Sequence, residues 1–137
     1  MPVAEFTLAE LTQWGEALGA QLSPPCVVTL EGDLGAGKTT LAKAISHGYG
    51  VRETVTSPTF ALMHEYRAPR SSVYHLDLYR LKGPDQLANI GWEDVMSSKA
   101  VVLIEWPDRA GAELPPAAHA IVLGHVPDKP DLRSVSW

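Results

Sequence analysis

Cys26-Val27-Val28-Thr29-Leu30-Glu31-Gly32-Asp33-Leu34-Gly35-Ala36-Gly37-Lys38-Thr39 is the stretch that decides the fold. Cys26 to Leu30 is short, apolar and β-branched, which suits a buried parallel strand. Gly32 to Thr39 then fits the pattern G-x-x-x-x-G-K-[ST]. Thr39 to Tyr49 reads as a helix with Leu41, Ala42, Ala44 and Ile45 inward, and Gly48 and Gly50 mark its end. The motif needs that context: a strand before the loop and a helix after it.

Each position has a physical reason. Glycines let the backbone bend so that successive N–H groups converge on phosphate oxygens. The following helix directs its positive dipole end at the same anion. Lys38 is placed to reach the β- and γ-phosphates, and the Thr39 hydroxyl to ligate a bridging Mg²⁺. Gly32, Asp33, Leu34, Gly35, Ala36, Gly37, Lys38, Thr39 and Thr40 are the expected phosphate-binding residues. The competing explanation is a glycine-rich turn with a purely structural role.

Such a loop needs a carboxylate on a second strand to hold the metal and its waters. Val101-Val102-Leu103-Ile104-Glu105 supplies one, at the carboxyl end of an apolar strand starting at Ala100, where ligands collect in open α/β sheets. Asp77, within His75-Leu76-Asp77-Leu78-Tyr79-Arg80, shares a strand face with His75. It serves either the metal or water, or a strand-edge salt bridge with Arg80. Ser57 and Thr59, in Thr56-Ser57-Pro58-Thr59, lie either in a γ-phosphate-sensing switch or in a plain loop cap. Trp106, before Pro107, packs near the nucleotide or serves as a core or lid aromatic. His47, His64, His119 and His125 lack metal-ligand spacing and read as structural or exposed.

Around this centre the chain is regular. Thr7-Leu8-Ala9-Glu10 reads as a capping box opening a helix to about Leu22, stopped by Ser23-Pro24-Pro25. Leu8, Leu11, Trp14, Ala17, Leu18 and Leu22 give it a rough helical period. Pro58 to Tyr66 and Val73 to Tyr79 alternate across a polar turn and predict a β-hairpin. Pro84 to Ile90 predicts a short helix ended by Gly91. Ile121 to Leu123 and Ser134 to Trp137 are weaker strands, with a turn at Pro127 to Asp131. The elements predict an α/β fold in one domain over residues 1–137. It is a three-layer P-loop NTPase-like domain with a mixed, mostly parallel central sheet, helices on both faces and a β-hairpin.

Bulk properties narrow the function. With 137 residues the chain suits a single domain. A net charge of -5 and scattered Lys and Arg argue against direct nucleic-acid binding, so an RNA role would pass through a partner. The single cysteine, Cys26, reads as a buried core thiol. No apolar run is long enough to span a membrane, and the N-terminus lacks a basic leader, so the expected compartment is the cytoplasm.

Together the motifs resemble the TsaE (YjeE) family of small P-loop ATPases in bacterial tRNA threonylcarbamoyladenosine synthesis. The resemblance is carried by Gly32 to Thr40, Ser57 to Phe60, Tyr66, His75 to Arg80, Glu105 to Pro107 and Leu114-Pro115, in order and spacing. It implies slow hydrolysis of ATP with Mg²⁺. It also implies action on a TsaB–TsaD complex, in which TsaD modifies adenosine 37 of ANN-decoding tRNAs and tRNA is met only through that complex. It gives Lys38 the phosphate, Thr39 the metal and Glu105 the Walker B role. Asp77 becomes a second acid near the metal, Ser57 and Thr59 a switch-like segment, and Trp106 an aromatic beside the site. Thr7 and Leu8 open the helix that borders the adenine in the family. After Pro115 the sequence matches no family pattern, and Lys129 and Arg133 are its only candidates for meeting the nucleotide.

Three rivals stand beside this reading. A small-molecule P-loop kinase would need an acceptor site and an arginine-bearing lid. A GTPase would carry a guanine-reading Asn/Thr-Lys-x-Asp signature, and Ser98-Lys99-Ala100-Val101 lacks the Asp. A non-catalytic nucleotide-dependent module would only regulate partner assembly.

Overall fold

The structure, a computed structural model, describes residues 2–55 and 62–137. In chain order the elements are β1 (Val3–Phe6), α1 (Leu8–Gln21), β2 (Cys26–Glu31), α2 (Lys38–Tyr49), β3 (Met63–Arg67), β4 (Ser72–Asp77), α3 (Trp92–Ser97), β5 (Val101–Glu105), β6 (His119–Val126) and β7 (Lys129–Ser136). Two 3₁₀ segments, Pro84–Ile90 and Pro107–Glu113, complete it. The strands form one sheet in the order β1-β7-β6-β2-β5-β4-β3. The four central strands, β6-β2-β5-β4, are parallel, and antiparallel pairs flank them on both sides.

β5 explains the layering. All five of its residues are buried, because both sheet faces are covered. Val101 and Leu103 join Val28, Leu30, Leu41 and Ile45 under α1 and α2. Val102 and Ile104 join Leu76, Leu87, Trp92 and Val95 under α3 and the 3₁₀ segments. Each such aliphatic side chain contributes about 1.5–3 kcal/mol by leaving water.

α1 opens as its sequence predicts. The Glu10 N–H donates to Thr7 Oγ1 at 3.2 Å, and the Thr7 N–H donates to Glu10 Oε1 at 2.9 Å. The Thr7 backbone N–H, aided by the Thr7 hydroxyl, holds the Glu10 carboxyl below its usual range. Its inner face differs from the expected one. Leu11, Gly15 and Gly19 are its buried residues, whereas Leu8 is 63% exposed. The two glycines let α2 approach closely, so backbone, not leucine side chains, makes much of this helix contact.

Other boundaries moved for local reasons. β4 ends at Asp77, and Tyr79 lies beyond it in a turn. Pro84–Ile90 forms a 3₁₀ turn. The β6–β7 pair is longer than its apolar residues announce, and its turn is tight at Pro127-Asp128. A register shift between His125 and Val126 bulges Pro130 to Leu132 out of the ladder. β1, α3 and the Pro107–Glu113 segment carry too little periodicity to be announced. Cys26 is only partly buried, and that burial pushes its thiol up. The hairpin forms between β3 and β4, with Met63 opposite Leu76 and Arg67 opposite Ser72. The expected strand residues before Leu62 lie outside the described residues. No helix among the described residues is long and apolar enough to cross a membrane.

Candidate functional site

Parallel register brings the expected acids to one edge. Asp77 on β4 pairs with Glu105 on β5, and Glu105 pairs with Leu30 on β2. The three strands therefore end in one row, and the Gly32–Thr39 loop leaves β2 just beyond it. Such a row, at the carboxyl ends of parallel strands, is where α/β sheets bind ligands. The loop turns through left-handed φ values at Gly35 and at Gly37, the latter the N-cap of α2, a region that glycine enters without strain.

A cleft of about 330 Å³ opens there. It is lined by Leu34, Gly35, Gly37, Lys38, Thr39, Thr40, Asp77, Tyr79, Glu105 and Trp106. Lys38 is 5% exposed and donates to the carbonyl oxygens of Gly32 and, at 2.8 Å, Asp33. Burial pushes its ammonium below the usual range, opposed by the charges of Glu105, Asp77 and Asp33. The Thr39 hydroxyl points at the Glu105 carboxylate, 3.3 Å from Oε2 and 3.4 Å from Oε1. Burial pushes the Asp77 carboxyl up and the Glu105 charge adds to this, while the Tyr79 N–H and the Lys38 charge act the other way. Asp77 Oδ1 accepts that Tyr79 N–H at 3.0 Å.

Trp106 adopts a left-handed φ of 57°, which turns its indole over Lys38, with Nζ 4.4 Å from the ring centroid. Tyr79 packs against the same indole at 4.9 Å. Arg109 secures this rim. It donates to the carbonyls of Tyr79 at 2.9 Å and Leu81 at 3.0 Å, with its guanidinium 5.5 Å from the Tyr79 ring centroid.

A second cleft, of about 480 Å³, lies on the other side of the loop. Thr7, Leu8, Gly35, Gly37, Thr40 and Arg133 are among its walls. Arg133, presented by the β7 bulge, donates to Gly35 O at 3.4 Å. His125 lies 3.4 Å from Leu34 O, and Lys129 lines a hollow with His125, Asp128 and Arg133. The loop therefore separates a carboxylate-lined cleft from one that Thr7 and Leu8 border. Gly32, Asp33 and Ala36 support the loop: the first two carbonyls hold Lys38, and the Ala36 N–H donates to Asp33 O at 3.1 Å. Ser57 and Thr59 lie outside the described residues.

The residue that the sequence understated is His75. It is fully buried, and its Nε2 lies 2.6 Å from Glu105 Oε2. The available signal was strand alternation, which puts His75 and Asp77 on one face.

Known proteins share this sequence and fold. Residues 6–132 match the family described as threonylcarbamoyl adenosine biosynthesis protein TsaE. A tRNA threonylcarbamoyladenosine biosynthesis protein TsaE from Nostoc sp. is 45% identical over 98 residues, 69% of this chain and 60% of that protein. Its namesake from Treponema pallidum is 39% identical over 106 residues, 77% of this chain and 78% of that protein. The crystal structure of Bacillus subtilis YdiB superposes with a TM-score of 0.73 at 30% identity, covering 98% of this chain and 83% of that one. The family match runs from the α1 cap to the β7 bulge, and on that breadth the chain belongs to the TsaE family of threonylcarbamoyladenosine biosynthesis proteins.

Proposed function

We propose that this chain binds ATP and hydrolyses it slowly, as a subunit required for threonylcarbamoylation of adenosine 37 in ANN-decoding tRNAs, acting on the TsaB–TsaD complex. One observation carries the reading: Lys38, Thr39, Asp77 and Glu105 line a single cleft beside the glycine-rich loop. The donors fit Mg²⁺. They are a hydroxyl and two carboxylates, all hard oxygen ligands, too few to enclose the ion, as suits a metal that keeps waters and phosphate oxygens. No group of three His, Cys, Asp or Glu side chains among the described residues could hold a metal alone.

When bound, Mg²⁺ supplies positive charge to the β- and γ-phosphate oxygens. Lys38 exchanges its loop carbonyls for those oxygens and stabilises charge that grows as the bond to the leaving ADP breaks. Water attacks the γ-phosphorus, and ADP and phosphate leave. Glu105 and Asp77 hold the metal side of the cleft and order water. Thr7 and Leu8 border the base. tRNA is met through the complex, in keeping with the net charge of -5.

Reconstitution with TsaB and TsaD tests this, with ATP hydrolysis and tRNA modification measured together. Glu105→Ala is expected to abolish modification while ATP binding and assembly persist. Survival of modification would instead favour a nucleotide-dependent assembly module. Robust phosphoryl transfer to a small acceptor would favour a kinase.

A further inference from the structure

His75 is the one fully buried ionisable side chain at the site that the proposed chemistry leaves without a task. It sits on β4 opposite Leu103, two residues before Asp77. From there its ring runs along the sheet to Glu105. Both side chains are out of water, at 0% and 4% exposure, with Nε2 and Oε2 2.6 Å apart. Nδ1 is buried and has no hydrogen-bond partner among the described residues.

That orphan atom decides where the proton is. An imidazolium would bury an Nδ1–H with no acceptor. So would the neutral tautomer protonated at Nδ1, in which Nε2 could only accept from a protonated Glu105. Unmet buried N–H groups are rare and costly. The neutral ring protonated at Nε2 leaves no N–H unmet and donates to Glu105 as a carboxylate. Glu105 Oε2 is thereby committed to His75, which fixes the rotation of the carboxylate and turns it toward the Thr39 hydroxyl.

We propose that His75 is a positioning residue, whose Nε2–H holds the Glu105 carboxylate in the orientation that serves Thr39 and the hydrolytic site. The inference rests on the ATP-hydrolysing reading and adds a residue to it. A carboxylate free to rotate about its last bond would spend less time productively placed, and supports of this kind are worth about 10–100-fold. ATP binding, which rests on the loop and Lys38, would be little affected.

Two measurements test it. His75→Leu should lower kcat for ATP hydrolysis about 10–100-fold while the Kd for ATP stays within about threefold of wild type. His75→Gln, whose amide N–H can replace Nε2–H, should recover most of that loss. Equal loss in both variants, or a loss confined to ATP affinity, would overturn the proposal. In the unaltered protein, two-bond ¹H–¹⁵N correlation of the His75 ring should report a protonated Nε2 and a bare Nδ1. A ring protonated at Nδ1 would overturn the proposal even if the variants fold poorly. If the wild-type protein binds ATP without hydrolysing it, the proposed function falls; the ring spectrum still decides whether His75 donates to Glu105.

Discussion

Lys38 lies beneath the indole of Trp106 while donating to the Gly32 and Asp33 carbonyls, so its ammonium is fully engaged by the protein itself. A phosphate must compete with those carbonyls for it. It does so because an ammonium is attracted more strongly by a full negative charge than by a carbonyl dipole. Lys38→Ala should therefore remove about 3 kcal/mol of binding, roughly a hundredfold in Kd for ATP. Isothermal titration with ATP and Mg²⁺ measures this, and a Kd within about threefold of wild type would contradict the assignment of Lys38.

Glu105→Gln separates charge from shape. The amide keeps the volume and can still accept from His75, but it cannot offer a charged oxygen to a cation. Hydrolysis should fall by about two orders of magnitude, with ATP affinity reduced by no more than about fivefold. Single-turnover hydrolysis beside equilibrium binding reads both, and a loss of affinity matching the loss of rate would move Glu105 from the chemical step to binding.

Much of this site was legible before the fold because its residues occupy fixed places in motifs. The loop carries its own spacing, and Glu105 closes an uninterrupted apolar run. Cap chemistry was legible too, since Thr7 and Glu10 interact three residues apart. Long-range geometry was not. That His75 reaches Glu105 depends on β4 lying beside β5, and that Arg133 reaches Gly35 depends on the β7 bulge. Leu8 misled the helix reading: as the first residue of α1 it has the right period, but at that end no layer lies above it. Gly15 and Gly19 carry no hydropathy signal, although they set the packing of α1 on α2.

That packing yields an ordered pair of outcomes. A Cβ at Gly19 would lie 2.1 Å from Ile45 O and 2.9 Å from Tyr49 N, both backbone atoms of α2. A Cβ at Gly15 would meet side-chain carbons of Ala44 and Leu41 at 2.8 Å. At Gly15 the Leu41 methyl can rotate away and the Ala44 Cβ, fixed to its backbone, is overlapped less, whereas at Gly19 the clash is with the α2 backbone itself and is closer. Gly19→Ala should cost about 3 kcal/mol, and Gly15→Ala about 1 kcal/mol. Urea denaturation of both variants gives the order, and a reversed order would mean that α1 tilts freely on α2.

Asp77 offers a test that depends on pH. Burial, reinforced by the Glu105 charge, raises its native carboxyl above the ordinary value of 3.8. The native state thus holds this proton to a higher pH than the unfolded chain does. Below about pH 3.8 both states are protonated there, and the group makes no difference. As pH rises through 3.8 and then through the native value, the unfolded state ionises first and the favourable proton-binding difference is lost, so stability falls. Asp77→Asn cannot ionise, and its Oδ1 can still accept the Tyr79 N–H. Without nucleotide or Mg²⁺, its Tm should match wild type near pH 3.5 and exceed it at pH 7. Thermal denaturation of both proteins across that range reads the difference directly. A lower Tm for the variant at pH 7 would show that attraction to Lys38 outweighs the burial of the carboxylate.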